Sequence, residues 1–369
     1  MRKSVIAEKD LWRIRNCQFD IGEFAIFVFF ELKMNITGKI VVTGASGFLG
    51  GRVAAFFAEN HPDAEIVATS RSNAKKSTLV LKGCEYKSGD LTNFSFCKDL
   101  TEGASVVIHC AALSSPYGKF NDFYQSNIVA TKCLLEASKA NKVQRFIYIS
   151  TPSIYVNFTD RFDVKESDPL PEKSVNHYAA TKLGAEKFVL SQNSSSFSTL
   201  ALRPRAIIGA EDTVIFPRVF EAYKKGKLKI VGTGTNRCDL TCARNVIEAI
   251  LCAIKAPKSS YGEAYNITNG EAVDFWSTLN YALTSLNYQA ISKKVSKNIA
   301  MKAASVVEGF YKIFYPSKEP AMTKYGIAIL ADNFTLNIDK AKEKLKYNPV
   351  QNTREGIDEF IEWYKKTNK

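Results

Sequence analysis

Histidine is scarce in this chain, with three residues, at 61, 109 and 177, each isolated in sequence. Eight cysteines (17, 84, 97, 110, 133, 238, 242 and 252) include no Cys-x-x-Cys pair, and the nearest approach, Cys238 and Cys242, has no neighbouring histidine. A metal centre is therefore not expected, and the cysteines read as reduced, mostly buried thiols. Long apolar runs are also lacking. Phe24 to Phe30 (FAIFVFF) is bounded by Glu23 and Glu31 and falls far short of the ~20 residues that span a bilayer. Acidic Glu8, Asp10, Asp20 and Glu23 do not suit the basic start of a signal peptide, so secretion is not expected. No internal repeat, low-complexity linker or nucleic-acid module is visible, and the basic residues are dispersed rather than interleaved with aromatics.

What is present is ordinary in bulk and unusual in charge. The 46% hydrophobic and 24% charged residues place the chain among globular proteins and exclude whole-chain disorder or a collagen-like repeat. Its 369 residues suit about two domains, or one large domain with a substantial subdomain. Fifty Lys and Arg against 37 Asp and Glu leave a net charge of +13, which suggests an anionic partner: nucleic acid, a phosphorylated ligand or an acidic membrane. Residues 291–369 hold 15 of those cations against 9 acids, so nearly half the excess sits in the tail.

From Lys39 onward, short β-rich runs at 39–43, 65–69, 105–109, 145–149 and 199–203 alternate with helix-patterned stretches such as 121–141 and 178–193. That alternation predicts a Rossmann-type, doubly wound parallel α/β sheet with a smaller, mainly C-terminal substrate-binding lobe. Residues 1–35 read as a leader, either outside the native fold or an amphipathic appendage, since Met34 immediately precedes the first regular strand region. Residues 36–205 are expected to form the nucleotide-binding domain, with 238–262 returning to it. Residues 206–237 and 263–369 then form the substrate lobe and C-terminal helices. Within them, 243–255 is a further helical stretch, and Ile299 to Phe314 combines apolar and aromatic residues at helical spacing, expected as a core-facing helix.

Directly after the first strand comes Thr43-Gly-Ala-Ser-Gly47-Phe-Leu-Gly50, opening a helix through Val53, Phe56 and Phe57. Glycines so spaced permit a tight turn and the approach of backbone N–H groups to a pyrophosphate at the helix N-terminus. The second strand ends in Thr69-Ser70-Arg71. A carboxylate there would bind the ribose 2′-hydroxyl of NAD; Arg71 instead suits a 2′-phosphate. NADP(H) is therefore favoured, with NAD(H) left open. Gly89-Asp90-Leu91 follows the third strand, where Asp90 either accepts from an adenine amino group or caps a turn. Ala111-Ala112 follows the fourth with side chains small enough to let a cofactor pass.

Tyr178-Ala-Ala-Thr-Lys182 places a phenol and an ammonium at i and i+4, on one helix face. A neighbouring positive charge favours the phenolate, bringing an ordinary pKa of ~10 closer to neutrality and making Tyr178 a usable acid. Upstream, Ile149-Ser150-Thr151-Pro-Ser153 ends the fifth strand, at the edge where ligands of such sheets bind.

Taken in order, TGASGFLG, GDL, HCAA, ISTPSIY, YAATK and LRPRAIIG resemble the extended short-chain dehydrogenase/reductase family over residues 36–350. Within it, the similarity is to the 3β-hydroxysteroid dehydrogenase-like branch, on Arg203 to Gly209, Val231 to Leu240, Asn245, Thr335 to Lys342, Tyr347 to Pro349 and Glu355 to Trp363. The resemblance implies a catalytic set of Thr151, Tyr178 and Lys182, with Ser150 and Ser153 as neighbouring hydroxyls. The implied cofactor-binding set is Gly44, Ser46, Gly47, Phe48, Leu49, Arg71, Asp90, Leu91, Ala111, Ala112, Asn127, Tyr178, Lys182 and Pro204. Asn127 matches a family residue that orders this network. Two departures stand out. Ala206 occupies the place where nucleotide-sugar epimerases carry Asn, and Arg244 the place where the family commonly has Asp.

These features imply an NAD(P)-dependent enzyme interconverting a ketone and a secondary alcohol on an apolar, steroid-like or β-keto acyl substrate. Competing readings are a nucleotide-sugar epimerase or dehydratase of the same fold, a non-catalytic NADP-sensing regulator, and a nucleic-acid binder. A homodimer, a cytoplasmic setting and peripheral contact with acidic membrane complete the expectations.

Overall fold

The structure is a computed structural model that describes residues 36–315 and 318–367. The leader, including Phe24 to Phe30 and Cys17, lies outside the described residues. From Gly38 onward the chain forms one compact unit.

Seven strands make the main sheet: β1 (Gly38–Thr43), β2 (Ala64–Ser70), β3 (Glu85–Ser88), β4 (Ala104–His109), β5 (Arg145–Ile149), β6 (Ser198–Pro204) and β7 (Ala264–Ile267). All pairings are parallel, in the spatial order β7-β6-β5-β4-β1-β2-β3. The strand runs are continuously apolar, as in Ile40-Val41-Val42, because helices cover both faces and leave no solvent-facing alternation. On one side α1 (Phe48–Asn60) and α3 (Ala243–Lys255) pack together. On the other, α2 (His177–Ser191) and the helix Ala130–Ala140 share a core with the sheet through Leu134, Leu135, Ala185, Val189 and Phe146. Strand order, not strand direction, reverses between β1 and β4, so their C-terminal ends open a crevice at the register pair Thr43 and His109.

The helix expected over 121–141 begins at Phe120 and is interrupted. Tyr124–Val129 takes a π-helical turn before regular geometry resumes at Ala130. Nothing in the apolar spacing signals that turn, which is set by tertiary contacts of Asn127.

A second core gathers Phe216, Phe220, Trp276, Leu283, Ile357 and Phe360. Phe216 and Phe360 stack at 4.1 Å between ring centroids. Beside it, a four-stranded sheet orders Ala272–Asp274, Arg237–Asp239, Phe334–Leu336 and Arg161–Val164.

One expectation is corrected here. Helix α4 (Lys297–Phe314) does not turn its large residues inward: its buried residues are Ala300 and Ala304, while Ile299, Val306, Phe310, Ile313 and Phe314 are exposed, Val306 and Ile313 by 73%. Helical spacing cannot tell which of two apolar faces packs, and here the small-residue face does. Among the described residues, no helix is long and apolar enough to cross a membrane.

Candidate active site

The glycine-rich turn has the geometry of a cradle. Gly44 lies at φ 71°, and a Cβ there would come within 2.8 Å of the Ala111 backbone; at Gly50 it would fall 2.4 Å from the Gly44 carbonyl oxygen. A side chain at either position would fill the space between strand and helix, so glycine is required by the backbone approach itself. Gly47 precedes α1 without a side-chain cap, which leaves the first-turn N–H groups of Phe48 and Leu49, beside Ser46, oriented as an anion site. Ala111 and Ala112 stand on the crevice wall beyond β4, half-buried and exposed respectively, and Pro204 ends β6. These residues fit a dinucleotide's pyrophosphate.

At the adenosine end, Arg71 is exposed just past β2. Asp90 Oδ1 accepts from the Thr92 N–H (2.9 Å) and hydroxyl (3.0 Å), and these bonds, aided by Arg71, hold its carboxyl below the usual range. One oxygen of Asp90 is thus committed to its own turn. Leu91 places its side chain in the core rather than in the crevice. Lys75, which sequence reasoning passed over, crosses the first turn of α1 and pairs with Glu211 at 2.5 Å.

Below the crevice floor, His109 joins strand and helix. Its Nδ1 lies 2.7 Å from Thr43 Oγ1, which also accepts the Ala111 N–H at 3.1 Å, and its Nε2 lies 2.9 Å from Thr131 Oγ1. Thr131 donates its proton to the Asn127 carbonyl (2.7 Å), so it accepts from Nε2–H, and Nδ1 accepts from Thr43. Burial, reinforced by Lys182, pushes His109 down to about 3, fixing it as neutral scaffold. The π turn sets Asn127 so that its Oδ1 accepts the Leu113 N–H at 2.7 Å while Nδ2 donates to Thr181 Oγ1 at 3.0 Å. Asn127 therefore ties the loop after β4 to the Tyr178 helix.

That helix starts where Asn176 Oδ1 accepts the Ala179 N–H at 2.8 Å. Its first turn carries Tyr178, and Lys182 lies one turn on. Lys182 is buried; its Nζ donates to the Ile149 carbonyl at 2.6 Å and stands 3.9 Å over the Tyr148 ring. Burial lowers its pKa to about 7, against the opposing pull of Glu186 and Cys110. Tyr178 is pushed up by burial, and the hydroxyls of Thr151 and Ser114 pull it back. Lys182 lies one helical turn beyond Tyr178 on the same face, with its ammonium held by the Ile149 carbonyl. Thr151 Oγ1 donates to Ser153 Oγ at 3.1 Å, and Ser153 Oγ lies 2.8 Å from Tyr325 Oη. Thr151, Ser114 and Tyr178 thus converge at the C-terminal edge of the sheet, while Ser150 Oγ is buried without a hydrogen-bonding partner.

Beneath them, Arg203 Nε and Nη2 hold Glu186 at 2.9 and 2.5 Å, and Tyr155 bonds Arg203 as well. This buried pair braces β6 against α2. Asn245 is likewise structural, accepting the Val350 and Gln351 N–H groups at 2.8 and 3.0 Å. Arg244 stacks over Phe56 at 4.3 Å in place of any acid-mediated contact. Ser114 and Tyr325 had no signal in the sequence; Ser114 follows the alanine pair, and Tyr325 arrives from a helix near the C-terminus. Among the described residues, no group of three or more His, Cys, Asp or Glu is placed to hold a metal.

A parallel sheet with a glycine cradle at its reversal point, and a Tyr-x-x-x-Lys helix beside a strand-end hydroxyl, defines a nucleotide-binding enzyme of the Rossmann class. Residues 40–268 match the NAD dependent epimerase/dehydratase family, to which this chain belongs. It is 34% identical over 290 residues to the 3beta-hydroxysteroid-dehydrogenase/decarboxylase isoform 1 of Arabidopsis thaliana, covering 75% of this chain and 66% of that protein, just under two thirds of its length. It is 29% identical to the 2-alkyl-3-oxoalkanoate reductase of Stenotrophomonas maltophilia, covering 86% of this chain and 97% of the relative. In fold it resembles the UDP-glucuronic acid 4-epimerase of Bacillus cereus in complex with NAD, at a TM-score of 0.68 and 23% identity over 90% of this chain and 100% of that one. These proteins are named as a dehydrogenase/decarboxylase, a reductase and an epimerase.

Proposed function

We propose that this protein is an NAD(P)-dependent oxidoreductase that interconverts a ketone and a secondary alcohol on an apolar, steroid-like or β-keto acyl substrate. The observation that carries this reading is the meeting of Tyr178 with the Thr151 and Ser114 hydroxyls, with Lys182 one helical turn on, beside a crevice whose glycine cradle fits a dinucleotide. When bound, the nicotinamide supplies hydride to the carbonyl carbon, or takes it in the reverse direction. Tyr178 Oη moves the proton to or from the substrate oxygen. Thr151 Oγ1 donates a hydrogen bond to that oxygen as negative charge gathers there. Lys182, protonated, would stabilise the tyrosinate left behind and would hold the cofactor's ribose; both roles require it to exchange its Ile149 carbonyl contact. Asn127 holds the Leu113 loop and the Tyr178 helix in register.

Arg71, with no carboxylate between Thr69 and Lys82, supports NADP(H) over NAD(H). The exposed apolar face of α4 supports peripheral contact with acidic membrane by an otherwise cytoplasmic enzyme. The family resemblance supports a homodimer.

The test is a screen of sterols, 3-oxo acids and UDP-sugars with NADPH and NADH, following reduced-nicotinamide absorbance. Turnover of an apolar ketone with NADPH is expected, and Tyr178→Phe should abolish it while cofactor affinity stays within about threefold. Retained turnover in Tyr178→Phe refutes the acid role, and an epimerised sugar with no net absorbance change refutes the substrate class. A preference for NADH removes the role given to Arg71.

A further inference from the structure

Thr151 has one hydroxyl proton, and in this structure Ser153 holds it. Thr151 Oγ1 accepts the Ser153 N–H at 3.2 Å, at the start of the turn Pro152–Tyr155, and donates to Ser153 Oγ at 3.1 Å. A hydroxyl donates once, so a bond from Thr151 to a substrate oxygen has to be taken from Ser153. How firmly Ser153 keeps that proton therefore bears on the reaction.

The group that governs Ser153 comes from near the far end of the chain. Ser153 Oγ lies 2.8 Å from Tyr325 Oη. Tyr325 stands in the first turn of the helix Lys324–Ala331, which Thr323 caps by accepting the Gly326 N–H at 3.0 Å. The Lys324 N–H donates to Glu308 of α4 at 2.8 Å, and the Tyr325 ring packs against the cluster of Ile154, Tyr155 and Val164. The phenol is thus set beside Ser153 by contacts independent of the bond between them.

The 2.8 Å contact allows either oxygen to donate, and the surroundings favour Tyr325. Burial pushes its phenol above the ordinary range, so it keeps its proton in neutral solution, while the Ser153 hydroxyl and the Arg205 charge pull it back. A cation that favours negative charge on the oxygen also polarises the O–H, making it a better donor. A serine oxygen has two acceptor positions. With Tyr325 on one and Thr151 on the other, Ser153 divides its acceptor strength and holds the Thr151 proton less firmly.

We infer that Tyr325 is a positioning residue for the reaction: by donating to Ser153 it releases the Thr151 hydroxyl to the substrate oxygen. This rests on the ketone and alcohol reading above and adds to it a residue of the C-terminal part that acts through Ser153 rather than on the substrate.

The experiment is a double-mutant cycle in the full chain, with NADPH and whichever of ethyl 3-oxooctanoate and 5α-androstan-3-one is reduced. Tyr325→Phe keeps the ring and should lower kcat about five- to tenfold, the rate equivalent of one neutral hydrogen bond, with KM within about twofold. Ser153→Ala removes the group that competes for the Thr151 proton, so adding Tyr325→Phe to it should change kcat by less than about twofold. Losses that multiply in the double variant, a change confined to KM, or an unchanged kcat in Tyr325→Phe would overturn the assignment. If neither ketone is reduced, the proposed function is in question, and the hydroxyl chain is still read by NMR of protein carrying carbon-13 at tyrosine Cζ. The Tyr178 signal, identified by its loss in Tyr178→Phe, should shift in Tyr325→Phe and stay in place when the same change is made on Ser153→Ala. A shift in both backgrounds, or in neither, overturns the inference.

Discussion

Lys182 sits where a charge is expensive, and its surroundings give a measurable consequence. Its pKa falls from the ordinary 10.5 to about 7 because burial disfavours the ammonium. Between those values the unfolded chain holds a proton that the folded chain has released, so stability rises with pH across that window, by at most about 1.4 kcal/mol per pH unit. Below about pH 7 both states are protonated and the whole cost of burying the charge is carried. Replacing Lys182 by Met removes this dependence: the Tm of wild type relative to Lys182→Met should climb between about pH 7 and pH 9 in the absence of cofactor. Parallel melting curves across that range would contradict it. The same residue shows what was legible at this scale. The i, i+4 spacing placed Tyr178 and Lys182 on one helix, and strand-end position placed Thr151, but the direction of the Tyr178 shift was not readable. It depends on burial and on Ser114 and Thr151 hydroxyls brought in from other loops. Tyr325, more than a hundred residues along the chain from Ser153, had no local pattern to announce it.

Elements divide by how their partners were specified. Strands β1, β2, β4, β5 and β6 were visible because a sheet covered on both faces selects continuous apolar runs, and the structure extends each by at most a residue or two. The π turn at Tyr124–Val129 was not visible, since it answers the Leu113 and Thr181 contacts of Asn127 rather than any periodicity. Helix α4 was visible as a helix and misassigned in orientation. Ile299, Val306, Phe310, Ile313 and Phe314 face outward with Lys302 among them and Lys297 and Lys312 near the helix ends. A helix of this kind, apolar on one side and cationic around it, is suited to lie in the headgroup region of an anionic bilayer. The protein should sediment with phosphatidylserine-containing vesicles more than with phosphatidylcholine alone, and Phe310→Ser combined with Phe314→Ser should reduce that binding by about tenfold or more. Equal binding by both lipid compositions, or no effect of the pair of substitutions, counts against membrane contact by α4.

At the scale of the whole molecule, the +13 charge no longer calls for nucleic acid, since one part borders the cofactor crevice at Arg71 and Lys75 and another surrounds α4. Both apolar packing and polar contacts join the catalytic sheet to the C-terminal part. The last helix, α5 (Thr353–Thr367), buries Phe360 completely against Phe216 and Phe220, and its Gly356 lies so close to Cys242 that an added Cβ would come within 2.4 Å of Sγ. Glu359 on the same helix meets Arg52 of α1 at 2.6 Å, both groups half-buried. A helix at the far end of the chain is thereby pinned to the first helix after the glycine cradle, and the two cores should unfold together rather than in sequence. Phe360→Ala deletes a ring from the centre of the second core and should cost about 3–5 kcal/mol, the range for emptying a buried aromatic site. Urea unfolding followed by far-UV circular dichroism and by tryptophan fluorescence checks both points, because Trp276 lies in that second core while most of the helical signal does not. Coincident transitions shifted by the full amount are expected in the variant. Separated transitions, with the fluorescence change moving alone, would show that the cofactor sheet holds its fold independently of the C-terminal helix.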